Sequence, residues 1–218
     1  MTIKTKGGES MNITLGKISS IVTGVAVLSF ALSMIVGTIF TSCLISIFIA
    51  LGFVPFMCSI FAANKKDDRK AVGYTGIAFS AVYAVLIFLV YYAECTTVRM
   101  NTSLGKEALS IISYGYVGSL FFNYDLLGYA FMALTTFLMA FIVEPSSRAD
   151  KVFRWMLWIH GIFFISCLLV PMFPIFTGGT SGADDKTGVI LLEIWCAYFI
   201  PVCILGYKYF SNISRKAI

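Results

Sequence analysis

An all-α, polytopic integral membrane protein is the fold class that this sequence predicts. Hydrophobic residues make up 59% of the 218 residues and charged residues only 12%, whereas soluble domains carry roughly 45–50% apolar and about 25% charged residues. The stretch from Ile18 to Ala63 contains no charged residue and no histidine. Since a helix rises about 1.5 Å per residue, this stretch is long enough to cross a hydrocarbon core of about 30 Å twice. These observations exclude a soluble enzyme, a disordered chain and a secreted disulfide scaffold.

Six apolar segments predict six transmembrane helices in a single domain, 1–218. Each falls within the range of about 17–25 residues that spans a bilayer, and inside lipid every backbone polar group needs an internal partner, which favours helices over strands. The segments are 18–37, 40–63, 71–93, 120–143, 155–176 and 187–207. Val36, Gly37 and Thr38 are the only turn-like residues between the first two segments, so we expect a tight hairpin there.

The longest connection, from Glu94 to Ser119, predicts a further short helix at 103–113. Leu104, Ala108 and Ile111 recur there at helical spacing with polar residues between them. We expect this helix to lie in the outer membrane interface, where the rings of the tyrosines that follow it suit the headgroup level. A lid over a cavity in the bundle is the alternative.

The positions of Lys and Arg predict the orientation of the bundle. With the N-terminus inside, thirteen of the 16 Lys and Arg residues fall in the two termini and in the connections 64–70 and 144–154. Cytoplasmic connections are enriched in positive residues, so we predict that both termini are cytoplasmic. Orientation and anionic headgroups also account for the net charge of +5, and we predict no nucleic-acid partner.

Small residues and prolines indicate how the helices pack. Because lipid is as apolar as leucine, membrane helices associate through close approach, which small residues at four-residue spacing allow. Such rows are Ser29, Ser33 and Gly37 in the first helix and Gly76, Ser80 and Ala84 in the third. Prolines predict kinks in the second, fifth and sixth helices, with a binding-site break as the alternative. They are Pro55, Pro171, Pro174 and Pro201.

The sequence carries no recognisable catalytic or metal-binding motif. His160 is the only histidine, and the patterns H-E-x-x-H, G-x-S-x-G and C-x-x-C do not occur. We therefore predict no catalytic residue, no metal site and no cofactor. We expect His160 to be a hydrogen-bonded packing residue, with a proton carrier or a ligand contact as the alternative.

Three acidic residues lie at similar depth near the predicted outer face. Glu94 ends the third helix, Asp125 lies near the start of the fourth, and Glu193 lies inside the sixth. An ionisable side chain within a membrane helix is costly and usually faces the bundle interior. Tyr129 lies one turn from Asp125 on the same face, and Asn123 adds an amide. These five residues predict a ligand-binding pocket, with Glu193 near Asp125 or a tyrosine hydroxyl; for Glu94 and Asp125, solvated helix ends are the alternative.

Two stretches in the second half of the chain carry a resemblance. NYDLLGYAFMAL at 123–134 and FRWMLWIHG at 153–161 resemble segments of small multi-span bacterial membrane proteins from uncharacterised domain families. The resemblance covers about residues 120–208. It implies a multi-pass protein of the bacterial inner membrane, and it implies no activity and no catalytic residues.

The residues leave different classes of function open. The first is a non-enzymatic protein that binds or moves a small lipophilic or cationic ligand through an outward-facing polar pocket. The second is a membrane-embedded lipid-modifying enzyme with Asp125 and Glu193 as its acid–base pair. A packing or partner subunit without a ligand is the third. The partners that these readings admit are the lipid bilayer, a small-molecule ligand and a second copy of the chain.

Overall fold

Helices dominate the described chain. The computed structural model describes residues 11–101, 103, 105–173 and 186–217, and no strand occurs among them. Six helical segments are long and apolar enough to cross a membrane, which confirms the all-α class and the six transmembrane helices. The α-helices are α1 Met11–Val36, α2 Ile39–Ala62, α3 Lys70–Ala93, α4 Lys106–Ile112, α5 Leu120–Ile142, α6 Arg148–His160, α7 Ile162–Leu169 and α8 Lys186–Ala217.

The first and last helices are longer than their apolar segments. α1 begins at Met11 instead of at residue 18, and α8 continues to Ala217 instead of ending at residue 207. The added turns contain charged residues such as Lys17 and Lys208. Hydropathy detects only the part of a helix that matches the hydrocarbon core, whereas the backbone hydrogen bonds continue into the polar interface.

α1 and α2 form the tight hairpin that the sequence predicts. Its turn is Gly37 and Thr38, and Thr38 caps α2: Thr38 Oγ1 accepts from the Thr41 N–H at 3.3 Å and Thr41 Oγ1 accepts from the Thr38 N–H at 2.8 Å. A Cβ at position 37 would lie 2.5 Å from the Ser33 carbonyl oxygen, so the turn requires glycine. Ser33 Oγ and Ser42 Oγ lie 2.9 Å apart and join the two helices.

Small residues bring α3 and α5 together. Gly76, Ser80 and Ala84 are buried, and a Cβ at position 76 would lie 2.5 Å from Met139 Cε in α5. Thr135 Oγ1 donates a hydrogen bond to the Gly76 carbonyl oxygen at 3.3 Å across the same contact. The row in α3 is therefore a packing face, as the four-residue spacing predicts.

The predicted row in α1 packs only in part. Ser33 is buried and Ser29 is half-buried, but Gly37 is exposed and lies in the turn beyond the helix. The row therefore ends at Ser33, because the hairpin begins where the spacing would continue.

Aromatic rings fill the centre of the bundle. Phe53 and Phe56 of α2, Phe153 of α6 and Phe199 of α8 are fully buried. The ring centroids of Phe53 and Phe199 lie 6.2 Å apart, and those of Phe56 and Phe153 lie 6.3 Å apart. These contacts join α2 to α6 and α8. Both α2 and α8 continue through the prolines that they contain.

The fifth membrane-crossing segment is broken at Gly161 into α6 and α7. The Gly161 N–H donates to the Trp158 carbonyl oxygen at 3.1 Å, which tightens the end of α6. A Cβ at position 161 would lie 2.8 Å from the Phe137 ring, so the glycine permits close contact with α5. The sequence predicts kinks instead at Pro171, which lies in the 3₁₀ turn after α7, and at Pro174, which lies outside the described residues.

The two ends of the bundle differ in chemistry. The basic end holds the connections 63–69 and 143–147, where Lys66 Nζ lies 3.5 Å and Arg69 Nη1 3.9 Å from Glu144 Oε1. We call the opposite end of the bundle the cavity end. It holds the α1–α2 turn, helix α4 and the loop 113–119. The short helix α4 falls inside the predicted 103–113 stretch. That the basic end is cytoplasmic stays a prediction.

Candidate ligand-binding cavity

A cavity of about 580 Å³ lies among α1, α2, α5, α7 and α8 at the cavity end. Most of its wall is apolar, with side chains such as Met34, Leu126 and Leu192. Asp125 and Tyr129 of α5 add polar groups to the wall. Apolar cavities of about 300–1,000 Å³ with a few convergent polar groups are typical of small-molecule sites. The cavity is therefore the candidate functional site.

Asp125 is the acidic group of the cavity wall. It lies in the second turn of α5 and is only 4% exposed. The hydroxyl of Tyr91 lies beside its carboxyl group, but Asp125 Oδ1 has no hydrogen-bond partner among the described residues. Burying a carboxylate oxygen without a partner is costly, and buried polar atoms are normally satisfied. A bound molecule that donates a hydrogen bond would satisfy this oxygen.

Four tyrosines lie near Asp125. Tyr83 and Tyr91 come from α3, Tyr129 comes from α5, and Tyr114 comes from the loop 113–119. The ring centroids of Tyr91 and Tyr114 lie 5.6 Å apart, and those of Tyr83 and Tyr129 lie 6.0 Å apart. Burial raises the pKa of Tyr114 well above its usual value, so its phenol is neutral. The hydroxyls of Tyr83 and Tyr129 have no hydrogen-bond partner in the described part of the chain.

Glu94 holds the loop that brings Tyr114 to the cavity. This residue begins the π-helical turn Glu94–Val98, which continues α3, and it is 6% exposed. Its Oε1 accepts a hydrogen bond from the Tyr114 N–H at 2.6 Å, and its Oε2 accepts one from Ser113 Oγ at 3.3 Å. Ser119 Oγ donates to the Ser113 carbonyl oxygen at 2.6 Å. The beginning of the loop is therefore fastened both to the turn that continues α3 and to Ser119, which precedes α5.

His160 joins three helices at the cavity wall. It is 1% exposed, its Nδ1 lies 2.7 Å from Thr136 Oγ1, and its Nε2 accepts a hydrogen bond from Trp195 Nε1 at 3.1 Å. Because an indole N–H only donates, Nε2 is unprotonated and Nδ1 carries the proton of a neutral imidazole. Thr136 in turn donates to the Ala133 carbonyl oxygen at 2.8 Å. Both ring nitrogens are thus occupied, as expected for a packing residue.

The structure brings together part of the pocket that the sequence predicts. Asp125 and Tyr129 both line the cavity. Glu94 is outside the cavity wall and acts on it through the loop that it holds. Asn123 also lies outside the wall, and its Nδ2 donates to the Gly118 carbonyl oxygen at 3.3 Å.

Glu193 lies apart from the other predicted pocket residues. It is half-buried, and its Oε1 has no hydrogen-bond partner among the described residues. Leu192 and Trp195 of the same helix line the cavity, but Glu193 does not. Successive helical residues are about 100° apart around the axis, so Glu193 lies about 100° from Leu192 and about 160° from Trp195. It lies near Cys196, and the described hydrogen bonds do not include the expected contact with Asp125 or a tyrosine hydroxyl.

Sequence reasoning missed two parts of this site. Tyr83 lies at helical spacing from Tyr91 and Glu94 along α3 and the turn that continues it, and this spacing could have revealed Tyr83 as part of the site. Trp195 lines the cavity and lies 5.4 Å from Tyr129 between ring centroids. No comparable signal marks Trp195, because aromatic and aliphatic residues occur on all faces of α8.

The described residues offer hydrogen-bond acceptors and aromatic faces. They contain no group of three or more His, Cys, Asp and Glu side chains that could hold a metal ion, and the six cysteines are free thiols. No protein-family model matches this chain, and no curated protein or solved structure matches it. The shape and chemistry of the cavity are therefore the features that bear on function.

Proposed function

We propose that this chain is a non-enzymatic integral membrane protein that binds, and moves between membrane and solvent, a small molecule with a mostly apolar body. The observation that carries this proposal is the cavity of about 580 Å³ with Asp125 in its wall. Maintaining an acid that is only 4% exposed and has an unpartnered oxygen is costly. Ligand binding is a reason to retain such a group where a neutral side chain would be more stable.

The apolar part of the wall supports an apolar ligand body. Met34 from α1, Leu126 from α5 and Leu192 from α8 face the cavity from three sides. Transfer of apolar surface into such a site contributes roughly 25 cal/mol per Å² buried. The few polar groups would then select the head group and its position.

The location of the cavity supports access from the outer face of the membrane. The positive residues favour a cytoplasmic basic end, and the cavity lies at the opposite end. We place the protein in a cell membrane as a multi-pass protein, and the resemblance to bacterial multi-span proteins favours the bacterial inner membrane. A ligand would enter from the outer leaflet or from the outer solution.

The lipid-modifying enzyme is the weaker alternative. Its acid–base pair requires Asp125 and Glu193 to face a common substrate. Asp125 lines the cavity, whereas Glu193 lies outside the wall on α8. The described geometry therefore favours binding over this form of catalysis.

Fluorescence quenching would test the proposal. Replacing Trp155 and Trp158 by Phe leaves Trp195 in the cavity wall as the only tryptophan. In nanodiscs of zwitterionic lipid, we expect ω-bromodecanol to quench Trp195 saturably, because bromine in a bound ligand would lie near the indole. Quenching that rises linearly, without saturation, would contradict the proposal.

Matched variants would locate the binding. Met34→Phe combined with Leu126→Phe narrows the cavity from α1 and α5 and should weaken saturable quenching. Leu32→Phe combined with Leu127→Phe adds the same volume on the same helices outside the cavity wall, and it should leave the quenching curve unchanged. Equal behaviour of the two pairs would show that the probe binds elsewhere.

A further inference from the structure

We infer that the cavity is selective for an N–H-bearing ammonium group on an apolar body, with Asp125 as its counter-ion and hydrogen-bond acceptor. This inference rests on the proposed binding function and names the head group of its ligand. Three features of the wall carry it: the carboxyl group of Asp125, the aromatic rings beside it, and the unpartnered state of Asp125 Oδ1.

The charge balance of the wall favours a cation. Asp125 is the only acid among the described residues that line the cavity, and these lining residues include no Lys or Arg. His160 supplies no compensating charge, because both of its nitrogens are engaged by Thr136 and Trp195 in the neutral form. A buried carboxylate without a cationic partner is strongly disfavoured, and a ligand cation would provide that partner. A carboxylate or phosphate ligand would add repulsion.

The aromatic rings provide a second contact for a cation. Tyr114, Phe122 and Tyr129 line the cavity together with Asp125, and Trp195 lies opposite on α8. Cations within about 6 Å of an aromatic face are attracted by the ring quadrupole, and tryptophan and tyrosine are the best partners. The combination of one carboxylate with several ring faces is therefore suited to an ammonium group.

The unpartnered oxygen favours an ammonium that carries hydrogen. Asp125 Oδ1 lacks a hydrogen-bond partner among the described residues, while the Tyr91 hydroxyl lies beside the carboxyl. A primary, secondary or tertiary ammonium can donate an N–H to this oxygen, and such charge-assisted bonds are the strong ones. A quaternary ammonium has the same charge but no N–H, so it would leave the oxygen unsatisfied.

Four brominated probes with the same ten-carbon chain would test the inference in the single-tryptophan protein. They are ω-bromodecylamine, ω-bromodecyltrimethylammonium, ω-bromodecanol and ω-bromodecanoate. We expect the amine to quench Trp195 saturably with an affinity about tenfold higher than that of the alcohol, equivalent to about 1.4 kcal/mol. We expect the quaternary ion to bind more weakly than the amine, and the carboxylate to bind most weakly.

Two isosteric acid-to-amide variants would show whether Asp125 causes the preference for the amine over the alcohol. Asp125→Asn keeps the shape of the wall and should abolish the preference for the amine while retaining binding of the alcohol. Glu193→Gln makes the same change of charge on α8 outside the wall and should leave the preference intact. An unchanged preference in Asp125→Asn would overturn the role of Asp125.

In the single-tryptophan protein, the affinities of the four probes also test the inference without either acid-to-amide variant. Equal affinity for amine and alcohol would overturn the inference and leave the proposed binding function standing. Equal affinity for the amine and the quaternary ion would overturn the requirement for an N–H donor. Absence of saturable quenching by all four probes would overturn both the inference and the proposed function.

Discussion

The indole Nε1 of Trp195 donates a hydrogen bond to His160 Nε2 at 3.1 Å and thereby joins α8 to the end of α6. The same indole stacks on Phe199, with ring centroids 5.2 Å apart. The other ring nitrogen of His160, Nδ1, forms a hydrogen bond with Thr136 in α5. One buried hydrogen-bonded chain therefore fixes the relative positions of α5, α6 and α8 at the cavity wall.

Trp195→Phe should destabilise the protein. The substitution keeps an aromatic ring but removes the N–H donor, so that His160 Nε2 is left buried without its partner. An unsatisfied buried acceptor costs about 1–3 kcal/mol. Unfolding in detergent, followed by circular dichroism, would measure the loss.

Trp155→Phe is the matched control for this substitution. Trp155 is 56% exposed on α6 and faces away from the core, so its replacement should leave the midpoint of unfolding nearly unchanged. If both tryptophan variants unfold at the same denaturant concentration, the Trp195–His160 bond contributes little to stability.

Glu94→Leu should loosen the loop that carries Tyr114. Leucine of similar size removes both acceptors, so the Tyr114 N–H and the Ser113 hydroxyl lose their partners. We expect a loss of about 1–3 kcal/mol in stability and faster amide exchange at 113–119. Hydrogen–deuterium exchange followed by mass spectrometry would detect the faster exchange.

Glu94→Gln separates hydrogen bonding from charge in the same position. Its amide oxygen can still accept from the Tyr114 N–H, and its amide nitrogen can donate to Ser113 Oγ. This variant should therefore exchange at nearly the rate of the original protein. Equal exchange in the leucine variant and the original would show that Glu94 does not hold the loop.

Gly76→Ile should separate α3 from α5. Even a Cβ at position 76 would lie 2.5 Å from Met139 Cε, and a branched side chain needs much more room. Overpacking of this kind typically costs about 1–3 kcal/mol. Val85→Ile enlarges a residue of the same helix that is 55% exposed, and it should be tolerated. Thermal unfolding that is the same for both variants would contradict the close α3–α5 contact.

The membrane crossings could be predicted from the sequence because an apolar run of bilayer length has few other structures available. The rotation of each helix about its axis could be predicted only where polar residues mark a face. Asp125 and Tyr129 in α5, one turn apart, are such a case, and both line the cavity. In α8, lipid and core both favour apolar side chains, so the sequence could not show that Glu193 points away from Trp195.

Neither the contact of Glu94 with the loop 113–119 nor the helix break at Gly161 could be predicted from the sequence, and the physical reasons differ. The hydrogen bonds of Glu94 to residues 113 and 114 cross from a helix to a loop, and no local spacing encodes such a contact. Gly161 lies in an apolar run where glycine is compatible with a continuous membrane helix. The close approach of Phe137 from α5 to this glycine is a contact that only the tertiary structure shows.

Cysteine labelling should show that the cavity end faces outward. In a variant that lacks the six native cysteines, Asn101→Cys lies at the exposed cavity end and Asp68→Cys lies at the exposed basic end. An impermeant maleimide should label position 101 in intact cells and position 68 only after the membrane is opened, because positive connections remain cytoplasmic. Labelling of position 68 in intact cells would invert the predicted topology.

Glu193→Leu should stabilise the protein without weakening ligand binding. Glu193 Oε1 is buried without a hydrogen-bond partner among the described residues, and Glu193 itself is not part of the cavity wall. Replacing an unsatisfied carboxyl by an apolar group of similar size removes a desolvation cost of about 1–3 kcal/mol, so the unfolding midpoint should rise. Saturable quenching of Trp195 by ω-bromodecylamine should not change, whereas Asp125→Leu should weaken it strongly. A lower unfolding midpoint in Glu193→Leu would show that Glu193 forms a stabilising hydrogen bond. Weaker quenching in this variant would show that Glu193 belongs to the ligand site.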